Sequence, residues 1–306
     1  MSGAGGEGWP VPRIRGREFS LLRGLIHKEA GIYLSEAKAA LVVGRLSRRL
    51  RDLQLRSFEA YYEVVKVDGE ERVRMLDCIC TNETHFFREP RQFEFLEQQL
   101  LPLWVARAAA GLMPRRIRVW SAACSTGEEP YSVAMTLLAH LPPASGWDLD
   151  VLATDLSTRA LESAKAGTWH IDKAAEIPQD YLKAFMLRGT GARQNVMKAR
   201  PGLRSILRFE RVNLNEGRYP VPGPFDLVLC RNVLIYFDAA SRARVVCQLL
   251  ERLAPDGYLF LGHAESVNSL TERVRSVGPT VYVHAASANP SRGEDRADRS
   301  RASRAS

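Results

Sequence analysis

Arg118-Val119-Trp120-Ser121-Ala122-Ala123-Cys124-Ser125-Thr126-Gly127-Glu128-Glu129-Pro130 is the stretch that decides the fold. It begins as an apolar run of strand length, turns through small residues and ends as the start of a helix. Small side chains at such a turn let a ligand approach the backbone where a first strand meets its helix. Ser125 with Glu128, and Thr126 with Glu129, have capping-box spacing, and Pro130 suits a first helical turn. The run is not the GxGxxG of dinucleotide enzymes. Two carboxylates at the turn also disfavour a pyrophosphate, which wants N–H donors and positive charge. A cationic ligand fits better, and S-adenosylmethionine carries both a sulfonium and an ammonium. Helix capping alone is an equal reading of Glu128 and Glu129.

On the C-terminal side of this run, short apolar segments alternate with helical ones. Ile117–Ala122, Leu149–Thr154, Leu207–Val212, Phe225–Cys230, Tyr258–Gly262 and Val281–His284 read as strands, and Gly127–His140, Ser157–Ala166 and Ala239–Leu253 as helices. That alternation predicts a mostly parallel sheet covered on both faces. The section 168–208 breaks the rhythm and is too long for a loop, so an inserted subdomain is expected there. Asp155 ends the second strand, where a carboxylate can accept hydrogen bonds from both ribose hydroxyls; capping the helix from Ser157 is the alternative.

On the N-terminal side the pattern is helical throughout. Glu18–Lys28, Glu36–Leu55, Ser57–Val67, Glu70–Cys80 and Pro90–Ala110 carry apolar residues at three- and four-residue spacing, with Gly31 and Gly69 between segments. The expected division is a helical domain over 13–89 and a catalytic domain over 90–286. Residues 1–12 and 287–306 read as disordered, from glycine and proline in the first and Ser/Arg/Asp repetition in the second.

The composition is that of an ordinary globular protein, 45% hydrophobic and 25% charged, with no apolar stretch of membrane-spanning length. Met1 to Gly8 lacks the basic start and apolar core of a signal peptide, so a cytoplasmic location is expected. Five cysteines without CxxC pairing or nearby histidine spacing argue against disulfides and structural zinc, and no metal is expected. The net charge of +8 favours an acidic partner without choosing its class.

Four further observations converge on one family. Thr81-Asn82-Glu83-Thr84-His85-Phe86-Phe87-Arg88-Glu89 resembles the signature that opens the catalytic half of the chemotaxis receptor glutamate methyltransferases, the CheR family. Trp120 to Ser132 is similar to that family's first cofactor motif. Phe225-Asp226-Leu227-Val228-Leu229-Cys230-Arg231-Asn232-Val233-Leu234-Ile235-Tyr236-Phe237 resembles its fourth-strand motif, and Gly257 to Glu265 its late hairpin. The four lie in order, and the resemblance spans roughly residues 15 to 285. It implies an α/β fold: a Rossmann-like S-adenosylmethionine-dependent methyltransferase domain preceded by a small all-α domain, with a small inserted subdomain. It implies that Asn82, Thr84 and Arg88 touch the methionine end of the cofactor, that Glu128 holds its ammonium and Asp155 its ribose. Asn213 and Leu214 would line the adenine, and Arg231 and Asn232 complete the pocket. Independently, Arg88 can hold a carboxylate in bidentate fashion.

The implied reaction esterifies glutamate side chains of membrane chemoreceptors. Such a carboxylate is already ionised at neutral pH, so orientation rather than a general base would carry catalysis. Tyr236 is the candidate for orienting the acceptor, with a packed aromatic as the equal alternative. From Lys38 to Arg56 there are six basic residues and one acid, and Arg45, Arg48, Arg49 and Arg56 share a face beside the apolar stripe Val42, Leu46, Leu50 and Leu53. A solvated face is the general explanation. In the resembled family the basic N-terminal helices are implicated in docking acidic methylation helices, so Arg45, Arg48 and Arg49 are expected to grip the receptor. Nucleic acid is not an expected partner, because aromatics are not interleaved with the basic helix and Arg231-Asn232-Val233-Leu234 lacks the Asn/Asp-Pro-Pro-Tyr/Phe clamp of DNA amino-methylating enzymes. A monomer is expected. One departure stands in the insert: Asn195 occupies the place of a third glycine in members that bind a receptor's C-terminal pentapeptide.

Overall fold

The computed structural model describes residues 12–265 and 271–287; the expected disorder of the two termini falls almost wholly outside that range. Four helices form the N-terminal unit: α1 (Gly16–Ala30), α2 (Ala39–Asp52), α3 (Phe58–Val67) and α4 (Gly69–Ile79). Their buried residues keep helical spacing: Phe19, Leu22, Ile26 and Ala30 on α1, and Val42, Leu46 and Leu50 on α2, all packed with Phe58, Tyr61 and Met75. The Ser57 hydroxyl and the Asp68 carboxylate cap α3 and α4. Gly31 ends α1 in the left-handed region at φ 70°, where a Cβ would sit 2.6 Å from the Phe237 ring.

Two of the three expected docking arginines are committed inside this unit. Arg49 donates from Nε to Glu71 Oε1 at 2.9 Å and from Nη2 to Oε2 at 2.5 Å. The Glu71 side chain is 1% exposed and also accepts from the Tyr61 hydroxyl at 2.9 Å. Arg45 donates to the Ile79 carbonyl and to Thr81 Oγ1. Arg48, with its side chain 87% exposed, makes only a 4.0 Å contact with Asp52 one helical turn away. Spacing along one helix places arginines on a face but does not reveal a carboxylate waiting on α4.

Pro90–Phe95 (α5) continues through a π-helical turn, Leu96–Leu100, into α6 (Leu101–Ala109). The sheet then begins. In chain order its strands are β1 (Arg116–Ser121), β2 (Asp148–Asp155), the inserted β3 (Thr168–His170), β4 (Met186–Arg188) and β5 (Val196–Ala199), then β6 (Leu207–Arg211), β7 (Phe225–Cys230), β8 (Leu253–Leu261), β9 (Val274–Gly278) and β10 (Val281–His284). The intervening helices are α7 (Glu128–His140), α8 (Thr158–Ala166), α9 (Gln179–Phe185), α10 (Pro201–Arg204) and α11 (Ala239–Arg252).

The main sheet has the order β6-β2-β1-β7-β8-β10-β9, parallel as far as β8 and antiparallel in its last two pairings. Alternate residues serve opposite faces: Leu227 and Leu229 pack with α7 and α5–α6, while Val228 and Cys230 pack with α11. The chain leaves β1 toward β2 on one side and returns through β7 on the other. Ligands of open α/β sheets bind at this switch point, beyond the carboxyl ends of the strands.

Three local readings change. The capping boxes do not form: Gly127, at φ 99°, is the N-cap of α7 without a side-chain cap. Ser125 is engaged elsewhere, its N–H on Asp155 and its hydroxyl on the Asn82 carbonyl. Strand β8 starts at Leu253, because the chain passes from α11 straight into extended backbone. Strand β9, which is half-buried and of mixed polarity, was not foreseen. In the insert, β3-β5-β4 make a small antiparallel sheet, and Asn195 lies outside the left-handed region that a third glycine would allow.

Candidate functional site

A cleft enclosing about 980 Å³, its open mouth included, lies at the switch point. The tips of β1, β2, β6 and β7 form its floor, the irregular segment 80–88 one wall, and Ala30 at the end of α1 with Ile32 just beyond it another. Asn82, Thr84, Arg88, Asp155, Asn213, Leu214, Arg231, Asn232 and Tyr236 all line it.

Asp155 is placed by its own backbone neighbours. Its Oδ2 accepts the Ser125 N–H at 2.8 Å and its Oδ1 the Ser157 N–H at 2.9 Å. Burial pushes its pKa up, against the lowering effect of these N–H donors. The capping of α8 belongs to the Ser157 side chain, which accepts from Ala160. Each Asp155 oxygen keeps a lone pair for a further donor.

Glu128 does not line the cleft. Its side chain is 1% exposed and closed off, with Lys173 Nζ 2.7 Å from Oε1 and the Thr126 hydroxyl donating to Oε2 at 2.7 Å. The carboxylate at this turn that does line the cleft is Glu129. Its Oε1 accepts from the Ser121 hydroxyl at 2.7 Å, and its Oε2 from Arg231 Nη1 at 3.0 Å. Two adjacent glutamates with identical capping spacing cannot be told apart in the sequence. The helix turn that follows Gly127 sends one outward to the insert and the other inward.

Arg231 is a buried junction, its side chain 2% exposed, joining Glu129 to Glu89 and donating to the Arg88 carbonyl. Asn232 sits at φ 58°, a costly conformation for a non-glycine residue. Its N–H donates to Glu265 Oε2 at 2.8 Å, and the Gly262 N–H donates to the same oxygen at 2.7 Å. Glu265 also accepts from the Ile235 N–H, so one buried carboxylate holds the loop that carries Asn232 and Tyr236. A Cβ at Gly262 would lie 2.6 Å from both the Asn232 nitrogen and the Glu265 carboxylate. Sequence reasoning left Glu265 without a role.

The helical unit closes the far side. The Tyr33 N–H donates to the Tyr236 carbonyl at 2.7 Å, Ile32 bridges Phe237, and Asn213 Nδ2 donates to the Glu29 carbonyl at 2.7 Å. His27 meets Asp238 at 2.6 Å. Cys80 lines the cleft, but burial pushes its thiol up to about 12, so it stands protonated.

Comparison with known proteins agrees with this geometry. Residues 82–283 match the family model described as CheR methyltransferase, SAM binding domain, and residues 17–80 match CheR methyltransferase, all-alpha domain.

The chain belongs to the CheR methyltransferase family.

Among its relatives is the chemotaxis protein methyltransferase of Salmonella typhimurium, 39% identical over 84% of this chain and 86% of that protein. The chemotaxis protein methyltransferase 2 of Pseudomonas aeruginosa is 37% identical over 87% and 92% of the two chains. That of Escherichia coli is 38% identical over 86% and 89%. This CheR methyltransferase is therefore S-adenosylmethionine-dependent. The cleft fits the group: one ionisable carboxylate at the β2 tip for hydroxyl donors, a second beside a small-residue turn for a cation, and a guanidinium on the opposite wall for a carboxylate. No helix among the described residues is long and apolar enough to cross a membrane, and no His/Cys/Asp/Glu group among them could hold a metal ion.

Proposed function

We propose that this enzyme methylates glutamate side chains on the cytoplasmic methylation helices of membrane chemoreceptors, giving glutamate methyl esters for sensory adaptation. One observation carries the choice of a carboxylate acceptor. Three carboxylates line the cleft: Glu83 is exposed, and Asp155 and Glu129 already accept from backbone N–H groups and from Ser121 and Arg231. Neither of these last two is placed to take a proton from an amine or alcohol, and a glutamate acceptor has none to give at neutral pH. Relatives named chemotaxis protein methyltransferases support the same substrate class.

The proposed roles follow from position. S-adenosylmethionine, when bound, supplies a methyl group activated by its sulfonium. Asp155 accepts from the ribose hydroxyls, and Asn213 and Leu214 line the adenine. Glu129, in place of Glu128, faces the ammonium, while Arg88, Asn82 and Thr84 hold the methionine carboxylate end. Arg231 and Asn232 close the pocket at the β7 tip. Tyr236 orients the acceptor carboxylate by donating its phenolic hydrogen, and the helical unit excludes water from the reacting end. Positioning of this kind can be worth about 7–11 kcal/mol. Arg48 is the docking arginine that remains, beside the exposed Arg51 and Arg56.

Tyr236→Phe tests the acceptor role. Turnover on receptor-containing membranes is expected to fall at saturating cofactor, with cofactor affinity unchanged. Equal turnover by the two enzymes would return Tyr236 to simple packing.

A further inference from the structure

The wall segment carrying Asn82, Thr84 and Arg88 forms neither helix nor strand, and Phe87 within it sits at φ 52°. Such backbone keeps one shape only if its surroundings hold it. The holding groups come from the inserted subdomain. Its 3-10 turn, Ile171–Glu176, follows β3 and directs two charged side chains at the segment. Lys173 Nζ donates to the Thr84 carbonyl at 3.0 Å while lying 2.7 Å from the buried Glu128 carboxylate. Two residues along the wall, the Phe86 N–H donates to Glu176 Oε2 at 2.8 Å. Phe86 packs edge-on against Trp169 of β3, with ring centroids 5.0 Å apart, and Trp169 packs likewise on Tyr131 of α7 at 4.8 Å. From the other side, the Phe87 N–H donates to the Ser132 hydroxyl at 3.0 Å.

We propose that Lys173 and Glu176 are positioning residues for cofactor binding, through which the inserted subdomain sets the shape of the wall 82–88. Neither side chain lines the cleft, so both act through the wall. The arrangement also accounts for Glu128: its charge is spent on fixing Lys173, which in turn fixes the Thr84 carbonyl. Because coupling between two sites is reciprocal, cofactor binding must tighten the turn 171–176 as much as the turn tightens the cofactor site. Any partner that reshaped the inserted sheet would alter cofactor affinity by the same route. The inference rests on the reading of Asn82, Thr84 and Arg88 as cofactor wall.

The test measures S-adenosylmethionine binding to the full chain by calorimetry, together with amide hydrogen exchange. Lys173→Met and Glu176→Gln are each expected to weaken binding about tenfold, the size of one charge-assisted hydrogen bond lost. Lys173→Arg should recover to within about threefold of wild type, since it keeps a donor and the charge. Turnover at saturating cofactor should stay near wild type while the KM for cofactor rises, a split that general loss of structure would not give. Cofactor should slow exchange at both 82–88 and 171–176 in the wild type, and at 82–88 alone in Glu176→Gln. Should Lys173→Met fail to fold, Glu176→Gln decides by itself. Wild-type affinity in these variants, with Asp155→Ala severely weakened, overturns the positioning role and leaves the cleft intact. Wild-type affinity in Asp155→Ala as well overturns the cofactor cleft and this inference with it.

Discussion

Arg49→Met separates an arginine that docks a partner from one that holds the fold. The substitution keeps most of the side-chain volume and removes both hydrogen bonds to Glu71, whose side chain is 1% exposed. Breaking a buried ion pair by deleting one partner costs about 3–5 kcal/mol. Tyr61 and Arg74, the latter 3.5 Å from Glu71 Oε2, still face the abandoned carboxylate, so the low end, about 3 kcal/mol, is expected. The Glu71 hydrogen bond raises the Arg49 pKa further above its already high value, and burial with the Glu71 charge raises that of Tyr61, so the arginine stays charged and the tyrosine neutral throughout the working pH range. For a chain of 306 residues, 3 kcal/mol corresponds to a fall in Tm of roughly 5 °C. Arg48→Met, at an 87% exposed side chain, should shift stability by less than about 0.5 kcal/mol. Converting both Arg49 and Glu71 to leucine should recover much of the loss, because no charge is then left buried. Thermal unfolding followed by circular dichroism reads all four proteins. A wild-type Tm for Arg49→Met, joined to a raised KM for receptor membranes, would refute the structural assignment and restore Arg49 to the docking face.

Gly127→Ala places a Cβ 2.9 Å from the Ala164 Cβ at a φ of 99°, so both stability and cofactor affinity should drop, as read by unfolding and calorimetry. Glu265→Gln trades an acceptor oxygen for N–H hydrogens aimed at the Asn232, Gly262 or Ile235 N–H groups; cofactor affinity should fall about tenfold or more, and unchanged affinity would deny that Glu265 holds the β7 loop. Burial raises the Asp155 pKa above the usual aspartate range, and ribose hydroxyls need the ionised form. Cofactor affinity should therefore begin to fall on acidification at a pH above the ordinary carboxylate pKa of about 3.9, whereas an onset at or below that pKa would contradict the assignment. The sign for folding is opposite: a raised folded-state pKa stabilises the apo protein below the unfolded pKa, and that stabilisation is lost as pH rises through the folded one. Asp238 runs the other way. The Ser241 N–H and His27 hold it at about 2, so its contribution is present above the unfolded pKa and is lost as pH falls toward 2.

Most of the sheet was legible because its strands are buried on both faces and read as continuous apolar runs. Phe225–Cys230 and Val281–His284 lie where the pattern places them. Asp155, Asn213 and Asn232 share one cleft at the strand tips; Asp155 could be picked out as a strand-end carboxylate, whereas Asn213 and Asn232 were named only by the family resemblance. What escaped depended on pairs of elements. The partner of Arg49 is on another helix, the choice between Glu128 and Glu129 turns on one left-handed glycine, and the role of Glu265 needs β7 and β8 side by side. The insert was visible as a break in rhythm, but strands of three and four residues give too short a window for periodicity to show.

The most direct test of the account is transfer of labelled methyl from S-adenosylmethionine to receptor-containing membranes, comparing the intact chain with Asp155→Ala. The account predicts base-labile label on receptor glutamates, lost in the variant. Absence of label from receptors despite calorimetric binding of the cofactor would contradict the proposed substrate, and equal labelling by Asp155→Ala would contradict the proposed cofactor site.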